Sequence, residues 1–305
     1  MKLPLFLDDT GKPAYFIDNS ILESWRQCQV GCNNRYGKNL ASGSDVDLYF
    51  GTMWHKFIHR MWGTFGQDPW KLDRGLTAIA DYDLSMQSEK KNYTRLKNAA
   101  SEYHAYYDED SEVSYEEYAL NHPTILAEEF LSFPITEFDG IKVYYCGSID
   151  RVVRSSIGEK EVVVIDYKTS TWNRIMDQGW NLSPQFLGYV WLVRNKLNLK
   201  VNHFLLDMLF MQSKIDNKFY RRQMEFEDWM INEWEWMRRE EILTLLETPE
   251  SHLTNKNSCS DYKGCIFYPL CSNDPRIREE LEEMMYEKKV WTFNREMKLV
   301  NKEEL

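Results

Sequence analysis

No run of the 305-residue sequence approaches the about 20 consecutive apolar residues needed to cross a bilayer, so no transmembrane helix is expected. The opening segment, MKLPLFLDDTG, meets two aspartates before an apolar stretch of signal-peptide length develops, and a cytosolic protein is expected. Positive charge is also scarce: 37 Lys and Arg face 48 Asp and Glu, a net charge of -11. Such a balance excludes a chain that grips nucleic acid over its whole surface, and any contact with phosphates needs a local basic groove. Internal repeats and low-complexity linkers are absent, which excludes a solenoid or a flexible tether.

What the sequence does contain is a core. Hydrophobic residues make up 43% of it and aromatic residues 14%, enough for one large domain or two modest ones. Turn signals in the first seventeen residues predict a small hairpin, and a helix is predicted over about 20–36 with Asn19 or Ser20 as its cap. Helical periodicity continues over 47–65 and 71–107. Three runs rich in β-branched and aromatic residues follow, at 125–135, 142–153 and 161–169, and read as consecutive strands. A helix over about 184–196 opens with Ser183 as cap and Pro184 in its first turn. Strands at 203–212 and 218–227, a helix at 228–247, a cysteine segment and a charged helical tail complete the chain. The predicted class is α/β: a helical N-terminal region over 1–120, a mixed-sheet core over 121–225 and a C-terminal cap over 226–305, forming one compact unit.

Chemistry concentrates at two strand ends. Val162-Val163-Val164-Ile165 is apolar at every position, as in a strand buried on both faces, and it runs into Asp166-Tyr167-Lys168. Strand alternation puts Asp166 and Lys168 on one face. Burying such a pair is costly unless a cation meets the carboxylate and a charged reactant meets the lysine. Asp150 ends the preceding strand, after Gly147-Ser148-Ile149, and the connection SSIGEK makes the two strands hairpin neighbours. The two carboxylates can then converge on one Mg²⁺ or Mn²⁺ ion, a site suited to phosphodiester hydrolysis with Lys168 orienting water or stabilising charge on phosphorus.

The pattern G-S-I-D, a short connection and V-I-D-Y-K-T-S resembles the core of the PD-(D/E)XK nucleases, in particular the RecB-like branch that includes AddB-type and CRISPR-associated exonucleases. The resemblance covers roughly residues 20–275 and is carried by ordered motifs. Gly51-Thr52-Met53-Trp54-His55 resembles the branch's G-x-x-x-H helix, which implies His55 as a metal ligand; His59, four residues on, leaves a zinc pair as the alternative. Gln185 and Tyr189 resemble its Q-x-x-x-Y motif, and their spacing puts both on one helix face toward the site and DNA. Glu128 resembles an acidic residue of the first core strand, a role Glu129 could fill equally. The implied metal set is His55, Asp150, Asp166, the Tyr167 main-chain carbonyl and Glu128; the implied catalytic set is Asp150, Asp166, Lys168, Gln185 and Tyr189. The implied activity is DNA exonuclease action on single strands or duplex ends, in a bacterial, archaeal or phage-infected cell. The alternative is a nuclease-fold subunit that binds DNA ends or docks to a helicase or CRISPR-adaptation complex.

Of six cysteines, Cys259, Cys265 and Cys271 crowd together as C-x5-C-x5-C, a spacing that calls for a bound metal or cluster in a reducing compartment. Part of the RecB-like branch holds a [4Fe-4S] cluster with one N-terminal and three C-terminal cysteines. That resemblance implies Cys28, preceded by Ser20 at the expected interval, as the fourth ligand, with Cys32 competing and structural Zn²⁺ the alternative occupant. The chain departs from that pattern in having Gln29 where the family carries proline, and in a wider C-terminal spacing. Cys146 lies in a predicted core strand and is expected to be a small buried hydrophobe. Among the tryptophans flanking the motifs, Trp54 and Trp62 are expected in the core, and Trp172 and Trp180 are candidates for stacking on bases. Arg151, Arg154 and Arg174 are expected to supply local positive charge.

Overall fold

The chain alternates between local helical order and long strands, and its sequence signals explain where each begins. The computed structural model describes residues 2–43, 45–62, 71–109, 124–154, 161–171, 178–211, 217–248, 254–260, 264–292 and 297–300. Strands β1 (Phe6–Leu7) and β2 (Pro13–Ile17) form the expected antiparallel hairpin. Helix α1 (Asn19–Gln27) begins one residue earlier than the sequence signals suggested, because Asp18 is the cap and its carboxylate accepts the Ile21 N–H at 2.8 Å.

The single helix expected over 20–36 is broken. Cys28 adopts an extended conformation (φ -161°), closes α1 and opens the short helix α2 (Gln29–Cys32). A wide turn over Asn33–Gly37 and strand β3 (Leu40–Ala41) follow. Helical periodicity could not reveal this break, since apolar spacing continues through it.

Helix α3 (Val46–Trp62) buries Phe50, Met53, Trp54, Phe57, Ile58, Met61 and Trp62, the i, i+3, i+4, i+7 stripe of a core-facing helix. Helix α4 (Lys71–Ala78) approaches it closely at Gly75, where an added Cβ would stand 2.6 Å from the Phe57 ring. Helix α5 (Tyr93–Glu109) precedes strands β4 (Thr124–Phe138) and β5 (Ile141–Arg154), which turn through Asp139 and Gly140, both at positive φ. An Asp-Gly pair is suited to that two-residue hairpin loop. Strand β6 (Val162–Ser170) opens with the buried apolar run Val162 to Ile165. Helix α6 (Pro184–Leu197) starts with proline in its first turn, as expected, but the Ser183 side chain makes no capping bond. Strands β7 (Val201–Phe210) and β8 (Lys218–Glu225) lead into helix α7 (Asp228–Glu247). The chain ends in the short helix α8 (Tyr268–Ser272), helix α9 (Arg278–Met285) and strand β9 (Glu287–Lys288).

Contacts divide the chain into two units, with β4 and β5 each passing from one to the other. In the unit made of 44–131 and 148–231, β5 pairs antiparallel with β6, β6 parallel with β7, and β7 antiparallel with β8. Val153, Val163, Ile165, Tyr167, Leu205, Leu209 and Phe219 share one sheet face and form a continuous core with α3 and α5. On the opposite face Phe204 stacks on Phe186 of α6 at 4.3 Å. This mixed sheet between helices is the expected α/β core.

In the other unit, made of 1–43, 132–147 and 232–305, β2 runs parallel to the first part of β5, with Ala14 to Ile17 facing Lys142 to Tyr145. Its C-terminal part has a small core of its own, Leu40, Phe267, Leu270 and Tyr286, and β3 pairs with β9. No helix among the described residues is long and apolar enough to cross a membrane.

Candidate active site

The pairing of β5 with β6 runs from Arg154↔Val162 to Arg151↔Ile165. One residue further along, the Asp150 side chain takes over from the ladder: Oδ2 accepts the Tyr167 backbone N–H at 2.8 Å. The carboxylate is thus anchored to the strand that carries Asp166 and Lys168. Its other oxygen, Oδ1, lies 3.4 Å from His55 Nδ1 on α3. Glu128 on β4 brings Oε1 to 3.5 Å from the same nitrogen. Among the described residues, His55, Glu128 and Asp150 are the trio whose candidate ligand atoms all lie within 4.8 Å of one another.

Glu128, rather than Glu129, joins this trio, and it does so from a backbone at φ +50°. A glutamate in the left-handed region inside a strand is strained, and such strain persists where the surrounding structure holds it for a purpose.

Asp166 is 1% exposed. Lys168 Nζ donates to its Oδ1 at 3.0 Å and lies 2.9 Å from Oδ2, off the hydrogen-bonding direction, so Oδ2 has charge beside it but no directional donor. Burial pushes the Asp166 carboxyl up to about 6; the Lys168 ammonium opposes this shift and the Asp150 charge adds to it. Burial works against charge on Asp150 as well, yet the His55 cation, the Lys168 charge and the Tyr167 N–H together hold its pKa down. Burial likewise works against protonated His55, and the Asp150 charge with hydrogen bonds to Asp150 and Glu128 outweighs it, raising the pKa to about 10. Both carboxylates are desolvated; Asp150 gains more from its partners, His55, Lys168 and a backbone N–H, than Asp166 does from Lys168 against the repelling Asp150 charge.

Gln185 and Tyr189 share one face of α6 as their spacing required, and Gln185 Nε2 donates to the Tyr189 hydroxyl at 2.8 Å. Other expectations are corrected. Arg151 supplies no groove charge: it is 4% exposed, and its guanidinium donates to Thr124 Oγ1 at 2.9 and 3.2 Å. Trp180 is half-buried, with its ring stacked on Phe186 at 5.4 Å. Trp54 and Trp62 are core residues, as expected. Arg154 is half-buried at the end of β5, while Trp172 and Arg174 lie outside the described residues. Sequence reasoning passed over Asp207, a buried carboxylate on β7 that pairs with Arg221. The signal was available, since Asp207 is the one charge in the run Phe204–Phe210.

In the other unit, Cys28 Sγ accepts the Gly31 N–H at 3.5 Å, and the Gln27 carbonyl accepts from Asn255 Nδ2 and Ser258 Oγ, both at 2.9 Å. The residue before Cys28 is therefore tied to the segment that leads into Cys259. Burial raises the Cys271 thiol pKa, and Cys265, Cys28 and Cys259 all lie near enough to raise it further. Cys32 is buried instead, with its thiol directed at the Ile21 carbonyl at 3.5 Å. Cys146 is buried as expected.

A mixed sheet between helices, with two buried aspartates and a lysine within the adjoining strands β5 and β6 rather than at their ends as expected, defines an α/β nuclease class. The chain belongs to the PD-(D/E)XK nuclease superfamily, which it matches over residues 19–272. No curated protein matches the sequence. Among solved structures, a candidate exonuclease from Eubacterium rectale is similar at 13% identity and TM-score 0.45, covering 80% of this chain and 86% of that one. LHK-Exo in complex with dAMP is similar at 12% identity and TM-score 0.26, covering 65% and 90%.

Proposed function

We propose that the chain is a metal-dependent DNA exonuclease of the RecB-like branch, acting on single strands or duplex ends. The observation that carries this reading is the convergence of His55 from α3, Glu128 from β4 and Asp150 from β5 within 4.8 Å, with Asp150 bonded to the strand β6 that presents Asp166 and Lys168. The donors fit a divalent cation of the Mg²⁺ or Mn²⁺ type: carboxylate oxygens, one imidazole nitrogen, and an Asp166 oxygen without a directional donor. His55, Glu128, Asp150, Asp166 and the Tyr167 main-chain carbonyl would hold it. When bound, the cation supplies an activated water and charge neutralisation at the leaving oxygen. Asp150 keeps the ligand side chains in register with β6 through its hydrogen bond to Tyr167. Lys168 keeps a positive charge beside the site of reaction, where negative charge develops on the phosphoryl oxygens. Gln185 and Tyr189 present a linked amide and hydroxyl that orient the substrate backbone.

The cysteines support the finer assignment. Cys28, Cys259 and Cys265 each lie near enough to Cys271 to raise its thiol pKa, whereas Cys32 faces a backbone carbonyl. Four thiolates fit a [4Fe-4S] cluster, whose cysteines bind separate irons, with structural Zn²⁺ the alternative occupant. The cluster would clip the two cysteine-bearing segments of this unit together.

Anaerobically purified protein, given end-labelled single- and double-stranded DNA with Mg²⁺ or Mn²⁺, is expected to release nucleotides from an end. It is also expected to absorb near about 400 nm. Asp166→Ala should abolish cleavage and keep the chromophore. DNA binding without hydrolysis under any divalent metal would instead identify an assembly subunit for a helicase or CRISPR-adaptation complex.

A further inference from the structure

The face of the sheet opposite Asp166 and Lys168 carries a second, buried set of polar side chains. Asp207 on β7 faces Arg221 on β8 in register, with Arg221 Nε 2.9 Å from Asp207 Oδ2. The Tyr103 hydroxyl from α5 donates to the same oxygen at 2.6 Å, and Arg221 lies flat over the Tyr107 ring at 3.6 Å. Asp207, Tyr103 and Tyr107 are buried, and the Arg221 side chain is 4% exposed. In parallel register beside Asp207 stands Tyr167, the residue between Asp166 and Lys168. Its hydroxyl lies within hydrogen-bonding reach of Arg151, and its ring meets the His55 ring edge-on with centroids 6.4 Å apart. Arg151 in turn donates to Thr124, which opens the strand that carries Glu128.

A line of side chains therefore crosses β5, β6, β7 and β8 behind the acid cluster. It touches every element that contributes to the cluster: α3, β4, β5 and β6. Burying a carboxylate and a guanidinium in a core of Leu, Val and Phe costs several kcal/mol, and a well-packed apolar pair would serve stability as well or better. What the polar line provides is direction. Tyr167 cannot rotate without leaving Arg151, and the backbone N–H of Tyr167 is the group that anchors Asp150. We propose that Tyr167, through its hydroxyl, and the buried Asp207–Arg221 pair form a positioning network that sets the divalent-metal affinity of the His55, Glu128 and Asp150 cluster from the sheet face that packs against α3. This inference rests on the metal-dependent reading above. Tyr167 and Asp207 are positioning residues here, since neither side chain is a ligand.

The test is Mn²⁺ binding to metal-free protein, followed by electron paramagnetic resonance, with thermal unfolding measured in parallel. Tyr167→Phe removes one hydroxyl and keeps the ring; Asp207→Asn keeps the shape and removes the charge. Leu209→Ala, on the same strand and the same core face, is the packing control. Outer partners of metal ligands contribute about 10–100-fold to affinity, so Tyr167→Phe should raise the half-saturating Mn²⁺ concentration about tenfold. Asp207→Asn should raise it by a similar factor, and Leu209→Ala should lower the melting temperature with little change in Mn²⁺ binding. Folded Tyr167→Phe protein that binds Mn²⁺ as the wild type does would overturn the network. So would a Leu209→Ala shift as large as that of Tyr167→Phe, since the effect would then be packing. Wild-type protein that binds no Mn²⁺ at all would overturn the metal-dependent reading, and the network with it.

Discussion

The Tyr167 backbone N–H donates to Asp150 Oδ2 at 2.8 Å, while the other oxygen of the same carboxylate faces His55 at 3.4 Å. Asp150 therefore has two separable tasks, one for each oxygen. One completes the hydrogen bonding of β6 where the ladder with β5 gives out; the other helps to form the cluster with His55 and Glu128. Substitution at this position should separate them.

Asp150→Asn keeps an oxygen for the Tyr167 N–H and loses the charge, whereas Asp150→Ala leaves a buried donor without a partner. An unsatisfied buried donor costs about 1–3 kcal/mol, so the alanine variant should unfold at lower urea than the asparagine variant by about that amount. Both should lose cleavage by about 10²–10³-fold or more, the loss expected when a metal carboxylate is removed. Equal stability of the two variants would show that the backbone anchor contributes nothing.

Lys168 acts differently from the carboxylates. Its ammonium touches Asp166, and its side chain is 30% exposed. Lys168→Met should lower kcat by about 10²–10³-fold, the range for removing one positioned electrostatic donor. It should leave the half-saturating Mn²⁺ concentration within about threefold, because the lysine is not a ligand. A large loss of metal binding in this variant would make Lys168 a support for Asp166 rather than a partner of the substrate.

The sheet and the acid–lysine pair were legible in the sequence because both follow from period-two alternation and apolar runs. Val162 to Ile165 announced a buried strand, and Asp166 with Lys168 shared a face by simple alternation. The choice of Glu128 over Glu129 was not legible, because it depends on a positive φ that no local residue type demands. Nor was the end of α1 at Cys28, where the thiol accepts the Gly31 N–H while helical spacing runs on. Arg151 was misread for a related reason: an arginine in a strand looks like surface charge until the register shows that its neighbour is Ile165. Its partner Thr124 lies far away in sequence, beyond the reach of pattern reasoning.

The conformation of Glu128 makes a direct prediction about strain. An L-residue in the left-handed region costs about 1–2 kcal/mol, a cost that glycine avoids. Glu128→Gly should therefore be as stable as the wild type or more so, while binding Mn²⁺ less tightly. Glu129→Gln, one residue away, should alter neither property. A Glu128→Gly variant that is both less stable and unchanged in metal binding would remove Glu128 from the cluster.

Acid sensitivity should appear at Asp8 in the N-terminal hairpin. Burial opposes its charge, but bonds from the Thr10 hydroxyl and N–H, the Lys12 N–H and the Tyr144 hydroxyl prevail and lower the pKa to about 2. The folded pKa lies below the unfolded value of 3.8, so the charged form stabilises the fold above that value. The contribution is lost as pH falls from there through about 2. Asp8→Asn should cost about 1–2 kcal/mol at pH 7, a gap that narrows below about pH 4. Urea titrations of both proteins at pH 7 and pH 3 measure the gap, and an equal gap at the two values would contradict the assignment.

The cysteines allow a test within a single short segment. Cys28 and Cys32 are separated by one helical turn, yet Cys28 lies near Cys271 while Cys32 is buried against the Ile21 carbonyl. Cys28→Ser should abolish the absorption near about 400 nm and lower the iron content of anaerobically purified protein. The Cys28 segment would then keep its bonds to the Gln27 carbonyl but lose the clip, and proteolysis after the Cys28 segment should accelerate. Cys32→Ala should retain the chromophore and lose about 1 kcal/mol or more, as expected for a cavity left by a small buried hydrophobe. The reverse pattern, with colour lost in Cys32→Ala and kept in Cys28→Ser, would move the fourth ligand inward. It would also mean that the bound state rearranges α2, since the Cys32 thiol would have to leave the Ile21 carbonyl to reach the other three sulfurs.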